Sequence, residues 1–241
     1  ITDKKLSNYN TEVDSSKWLI SNPLGYAIWF FDIATSPKIF RSTYLVKNVL
    51  RSSPPYRLNK YPLQRVIQLL KRHRDILMGN DEDKPISIII TTLASLAYSQ
   101  CQYENVYDSL CYIVNHMEAL IQIKAGKYYI PNPVNDKENF ADKWNEKPRK
   151  RQKFEEWLNK VKTDINSLVH KQSLPSLYTN LTCMYDEKPV KQVWSDIGSN
   201  FSHERKNGNL KMATSGILGS IGSLSVKAMH NFHGGYDNDK R

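Results

Sequence analysis

The stretch from Tyr61 to Tyr98, YPLQRVIQLLKRHRDILMGNDEDKPISIIITTLASLAY, decides the fold. Its first half sets Leu63, Val66, Ile67, Leu70 and Leu77 at three- and four-residue spacings, the period of a helix with one buried stripe, and Lys71 and Arg74 flank that stripe. Tyr61-Pro62 marks the start, since proline is tolerated in a helix's first turn, and Met78-Gly79-Asn80 marks the stop. The second half opens on Asp83-Lys84-Pro85, read as a capping carboxylate ahead of a first-turn proline, with Ile86, Ile89, Ile90, Leu93 and Ala97 as its stripe. Ser87 then falls in the first turn. The short apolar run Ile86 to Thr92 fits a buried strand as well.

A phosphate needs what this arrangement offers. Unpaired N–H groups and the positive end of a helix dipole lie beside the Ser87 hydroxyl, and an ammonium on the neighbouring helix completes a clamp. The competing reading is a pair of core helices with a solvated basic rim, and pattern alone favours it.

Working outward, the 241 residues suit one large or two small domains with ample apolar content for a core, and a formal charge of +10 points to an anionic partner. Nucleotide, nucleic acid or an acidic surface would each satisfy that charge. The three cysteines, Cys101, Cys111 and Cys183, show neither disulfide-framework nor zinc spacing, which fits a reducing cytoplasm. No apolar run is long enough for a membrane span, and no signal-peptide core is evident.

Residues 1–20 read as a linker or as the tail of a preceding piece. Ser21-Asn22-Pro23 caps a short helix with the aromatic face Tyr26, Ile28, Trp29, Phe30 and Ile33, read as core packing rather than a base-stacking platform. Lys38 to Arg51 reads as a basic connector that Ser52-Ser53-Pro54-Pro55 breaks. Val106, Leu110, Ile113, Val114, Met117 and Ile121 predict one long helix ending near Gly126. Tyr128 to Asn139 (YYIPNPVNDKEN) reads as a structured loop rather than a regular element.

Arg149, Lys150, Arg151 and Lys153 read as the solvated start of a helix carrying Phe154, Trp157, Leu158, Val161, Ile165 and Leu168, in preference to a nucleic-acid contact. Pro189 opens a last helix with Val190, Val193, Trp194, Ile197 and Phe201 on one face. Residues 208–241 read as a flexible glycine- and serine-rich tail, and 21–207 as the helical domain. Five or more amphipathic helices without strand–helix alternation predict a mainly α bundle.

Three segments carry a resemblance: LQRVIQLLKRHRD (Leu63 to Asp75), KPISIIITTLASLAY (Lys84 to Tyr98) and IPNPVNDKENFADKWNEKP (Ile130 to Pro148). They resemble the C-terminal half of bacterial cGAS/DncV-like nucleotidyltransferases; SNPLGYAIWF (Ser21 to Phe30) and HNFHGG (His230 to Gly235) are similar to flanking segments of that family. More distantly, the pattern resembles the helical domain of oligoadenylate synthetases. The resemblance implies a helical domain, without the catalytic β-sheet core, that closes over ATP- or GTP-type nucleotides while cyclic oligonucleotides are made as signals in anti-phage defence.

By that likeness Lys71 and Ser87 match residues that meet the donor triphosphate, with Arg74 beside them. Asn132, Asn139, Asp142 and Trp144 lie in the family's proline- and asparagine-rich loop, near a base or ribose. The family's core also needs a glycine-serine turn and three carboxylates for two Mg2+ ions. No such set is found: Gly219-Ser220 with Asp237-Asn238-Asp239 mimics the spelling by chance, and Glu12 and Asp14 lack the turn. The chain opens at Ile1 rather than methionine, so the Mg2+-binding catalytic half is expected upstream, as a partner of this chain. The resemblance also implies ubiquitin-transfer-like accessory proteins as partners of the tail, although six residues follow Gly234-Gly235. The alternative is a basic helical module for nucleic acid or protein, with no catalytic role.

Overall fold

The computed structural model describes residues 11, 22–35, 60–168, 173–212, 218–219 and 224–225. The connector, residues 1–10 and the diglycine segment lie outside them. The chain divides into two units, Ile1–Asn180 and Leu181–Arg241, a division that falls before the boundary at 207 and 208 read from composition.

The first unit is helical. α1 spans Pro23–Thr35, α2 Pro62–Met78, α3 Ser87–Ser99, α4 Val106–His116, α5 Asp142–Glu146 and α6 Pro148–Ser167. α3 lies at the centre, packed against α1, α2 and α4. Its Ile89, Ile90, Leu93, Ala94 and Ala97 are fully buried, and Thr91, Thr92 and Ser95 are buried with them. A helix enclosed on all sides has no polar face, which is why Ile86 to Thr92 reads equally well as a strand. Its buried hydroxyls are satisfied: Thr91 Oγ1 donates to Ser87 O at 2.8 Å, Ser95 Oγ to Thr91 O at 2.7 Å, and Thr92 Oγ1 shares a 2.8 Å hydrogen bond with the Tyr26 hydroxyl.

α2 contributes Leu63, Val66, Ile67 and Leu70, α4 Leu110, Ile113 and Val114, and α6 Phe154, Trp157, Leu158, Val161 and Ile165. Each such side chain gains about 1.5–3 kcal/mol by leaving water, so this four-helix seam dominates the unit's stability. The aromatic face of α1 joins the core: Trp29 and Ile33 are buried, and the Tyr26 and Trp29 rings lie 5.2 Å apart. Asn22 caps α1, its Oδ1 accepting from Gly25 N at 2.9 Å.

Several expectations are corrected. Leu77 and Ile86 are each 43% exposed, while Arg74 and His73 take buried positions beside the α2 stripe. α3 begins after Ile86, so Pro85 lies outside it and Asp83 is not its cap; Asp83 is turned toward Lys150 and Arg149 instead. The helix from Val106 stops at His116 and runs through a tight turn, Met117–Leu120, rather than reaching Gly126. Beyond it β1 (Gln122–Lys124) and β2 (Lys127–Tyr129) pair antiparallel around Ala125 and Gly126, whose φ of 49° and 73° make the primed turn that suits strand twist.

Tyr128 to Asn139 is likewise regular in part. β3 (Pro131–Asn132) pairs antiparallel with β4 (Asn135–Asn139), with an irregularity at Pro131, since proline has no N–H for a ladder. In the second unit the last long helix starts at Glu187, before Pro189, with Asp186 Oδ1 accepting from Glu187 N at 2.7 Å. α7 (Leu174–Tyr185), which spans the division, was not expected, and α8 is Glu187–Lys206. Beyond Gly208, in the segment read as a flexible or draped tail, the short strands β5 (Lys211–Met212), β6 (Leu218–Gly219) and β7 (Leu224–Ser225) form an antiparallel sheet in the order β6-β5-β7.

His73 ties α2 to α6: its ring is 2% exposed and Nε2 lies 3.0 Å from Asp164 Oδ2. Burial holds its pKa below the ordinary value, outweighing the hydrogen bond and charge of Asp164, while the Lys160 ammonium adds to the lowering. A histidine whose folded pKa is depressed binds its proton more readily when unfolded. Its contribution is therefore fully present above about pH 6.5 and is lost as pH falls below that value. Urea midpoints of the native chain minus those of His73→Gln should decline from pH 7.5 to 5.5; a difference that does not change with pH contradicts this.

Candidate functional site

α2 and α3 meet at a turn, and Arg74 governs the meeting. Its Nη1 donates to Pro85 O at 2.9 Å and to Ser87 Oγ at 3.1 Å. Nε donates to Asp75 Oδ1 at 3.0 Å, and Nη2 lies 2.8 Å from the same oxygen. One guanidinium thus joins the end of α2 to the first residue of α3, with its charge answered by the adjacent carboxylate. Lys84 Nζ closes the turn from the other side, donating to Gly79 O at 2.6 Å and lying 3.4 Å from Asp75 Oδ1. Gly79, at the end of α2, has φ of 50°, a positive value that favours glycine.

Ser87 is exposed at the first position of α3, and the preceding Ile86 offers no side chain to cap the helix's free N–H groups. A serine hydroxyl has one proton to give. Its oxygen accepts from Arg74, which leaves that proton available to donate.

Lys71 sits on α2 one turn before Arg74, the spacing that brings two side chains onto one face. It is half-buried, and among the described residues no carboxylate lies within ion-pair distance of it. Desolvation lowers its pKa, the nearby Arg74 charge lowers it further, and Asp75 partly opposes both. A half-buried ammonium beside a guanidinium, a hydroxyl and uncapped N–H groups are the kinds of donor that an anion with several oxygens engages.

The asparagine-rich segment is arranged differently. Asn132 is buried, donates from Nδ2 to Glu138 Oε2 at 2.7 Å and accepts from Val134 N at 3.1 Å. Asn139 accepts from Ile130 N at 2.9 Å and Ala141 N at 3.0 Å, and donates to Tyr128 O at 3.0 Å. Trp144 is 3% exposed, with its ring 5.0 Å from Phe154. These side chains hold the hairpins in shape. Asp142 is exposed at the start of α5, and its Oδ1 accepts from Lys143 N at 2.7 Å. Among the described residues, no hydrogen bond or ion pair links this group to Lys71, Arg74 or Ser87.

The basic start of α6 is a solvated helix end only in part: Arg149 is 69% exposed, while Lys150, Arg151 and Lys153 are largely covered. Arg151 is buried with its Cζ 5.2, 5.4 and 5.7 Å from the Tyr128, Trp144 and Phe154 rings, and Nη1 lies 2.7 Å from Glu155 Oε1. Lys150 and Lys153 reach back to Asp83 and Asp81 in the α2–α3 turn. NDED (Asn80 to Asp83) and RKRQK (Arg149 to Lys153) carry opposite charge, but nothing local in either run names the other as its partner.

Among the described residues no group of three histidine, cysteine or acidic side chains is placed to hold a metal ion. None of their helices is long and apolar enough to cross a membrane. A shallow pocket on α8, lined by Glu187, Lys188, Lys191, Gln192 and Ser195, contains none of the site residues.

No family profile matches the chain. It is similar to a c-di-GMP synthase from Roseivirga ehrenbergii, 29% identical over 232 residues that cover 93% of this chain and 60% of the relative. The chain thus spans about 60% of the length of the curated relative it matches. Its fold is similar to that of the Bradyrhizobium diazoefficiens CD-NTase CdnG, solved in complex with GTP: TM-score 0.55, 17% identity, covering 75% of this chain and 57% of that one. The chain is thus similar to that synthase along nearly its whole length, and it shares its helical fold with a CD-NTase.

Proposed function

We propose that this chain is the helical portion of a nucleotidyltransferase that joins nucleoside triphosphates into cyclic oligonucleotide signals in anti-phage defence, and that it grips the triphosphate without itself supplying the catalytic carboxylates. The observation that carries this reading is the Arg74 bridge to Pro85 O and Ser87 Oγ, with the half-buried Lys71 one turn away. Lys71 meets phosphate oxygens as a point charge, Ser87 and the first N–H groups of α3 donate to them, and Arg74 holds the two helices in register. The similar synthase is named for c-di-GMP, and the similar solved structure holds GTP, which makes a guanine nucleotide the first substrate to test.

Asn132, Asn139, Asp142 and Trp144 take part, in this reading, by shaping the hairpins that border the base or ribose. Mg2+ belongs to the catalytic half, where two ions would orient the attacking hydroxyl and the leaving pyrophosphate. The segment 1–20 leads from that half, residues 21–207 bind the nucleotide, and 208–241 serve accessory proteins in the cytoplasm.

Calorimetric titration with GTP tests the clamp. Lys71→Ala should weaken binding about tenfold, the loss of a partly desolvated charge-assisted contact, and Arg72→Ala much less, since Arg72 is exposed on the outer face of α2. Equal losses, or indifference to GTP against GMP with a steep salt dependence, would reduce the site to a nonspecific basic surface. Arg74→Ala should lower folding stability by about 2 kcal/mol in urea unfolding, because it leaves the buried Pro85 carbonyl unbonded, and should weaken GTP binding as well. Incubated with ATP, GTP and magnesium, the 241-residue chain should release no pyrophosphate; robust release would place the carboxylates within it.

A further inference from the structure

The turn that leads into Ser87 is fastened to α6 by its acidic side chains. Lys150 Nζ lies 2.9 Å from Asp83 Oδ1 and donates to Glu82 O at 3.1 Å. Arg149 Nε lies 3.3 Å from Asp83 Oδ2, and Lys153 Nζ lies 3.5 Å from Asp81 Oδ2. Asp81 Oδ1 in turn accepts from Asp83 N at 2.9 Å. Only Lys84, Pro85 and Ile86 separate Asp83 from Ser87, and the Pro85 carbonyl is already held by Arg74. The entry to α3 is therefore fixed at both ends, by α2 through Arg74 and by α6 through Lys150.

The charges also decide something. Asp81, Glu82 and Asp83 stand beside a site read as anion-binding, where uncompensated carboxylates would repel a triphosphate. Lys150 is 18% exposed and Asp83 23% exposed, so their attraction is less screened than that of a fully solvated pair.

We propose that Lys150 and Asp83 form a positioning pair for triphosphate binding: neither touches the nucleotide, and together they hold the α2–α3 turn where Ser87 and the first N–H groups of α3 meet it. This rests on the clamp reading. It adds residues that the family resemblance does not supply, drawn from a helix distant in sequence.

Asp83→Asn discriminates between charge and position. On charge alone, removing a carboxylate near an anion site tightens GTP; a positioning pair requires that GTP binding weaken. Titration of GTP into the full chain should show a loss of roughly three- to fivefold for Asp83→Asn and for Lys150→Gln, the size of a partly exposed ion pair's coupling, with Lys150→Arg close to the native chain. Thermal unfolding measured alongside should show all three variants folded at the titration temperature. Tighter or unchanged binding by Asp83→Asn overturns the pair, as does a loss in Lys150→Gln that Lys150→Arg shares. If Lys71→Ala still weakens GTP in that case, the clamp reading stands and only the positioning role falls. If Lys71→Ala has no effect, both fall.

Discussion

The α2–α3 junction depends on one buried cation. Placing the Arg74 guanidinium away from water is costly unless its charge and its N–H groups are all answered. Asp75 answers the charge, and Pro85 O and Ser87 Oγ answer the donors. Because those donors lie in one rigid plane, satisfying them fixes the end of one helix against the start of the next. A lysine there would offer three donors around a single nitrogen, without the planar fork that spans these acceptors. The geometry of Ser87 follows from an electrostatic requirement on α2 rather than from any preference of α3 itself.

α6 serves two purposes along its length. Its later turns bury Phe154, Trp157, Leu158, Val161 and Ile165 in the seam with α2 and α4, and its first turns spread cations over the α2–α3 turn and the hairpins. Arg151 illustrates the economy of this arrangement, since it packs against Tyr128 and Trp144 while its charge is answered by Glu155. The turn that precedes Ser87 and the hairpin aromatics are thus both reached from the first two turns of one helix.

Much of this was legible in the sequence, for reasons that can be stated. Periodicity placed α2, α3, α4 and α6, because amphipathic stripes report which face is buried, and Ser87 at the first turn of α3 followed from the proline two residues before it. The ends were less legible. Leu77 and Ile86 share the apolar character of the stripe yet sit where the helices run out past the core. The hairpins were missed because their strands are only two to five residues long, too short for alternation to register, and because Asn132 and Asn139 spell loop while their amides serve as backbone partners. Asp83 was read as a cap from local spacing; its partner lies on α6, and pairing across such a separation has no local signature.

The fastening of α6 to the acidic turn alters how the chain's excess of cations should be understood. The densest run of positive residues is already neutralised from within by Asp81, Asp83 and Glu155, so long polyanions meet far less attraction there than a formal +10 implies. For the proposed triphosphate clamp such self-screening keeps the positive field short-ranged and local rather than broad over a whole flank.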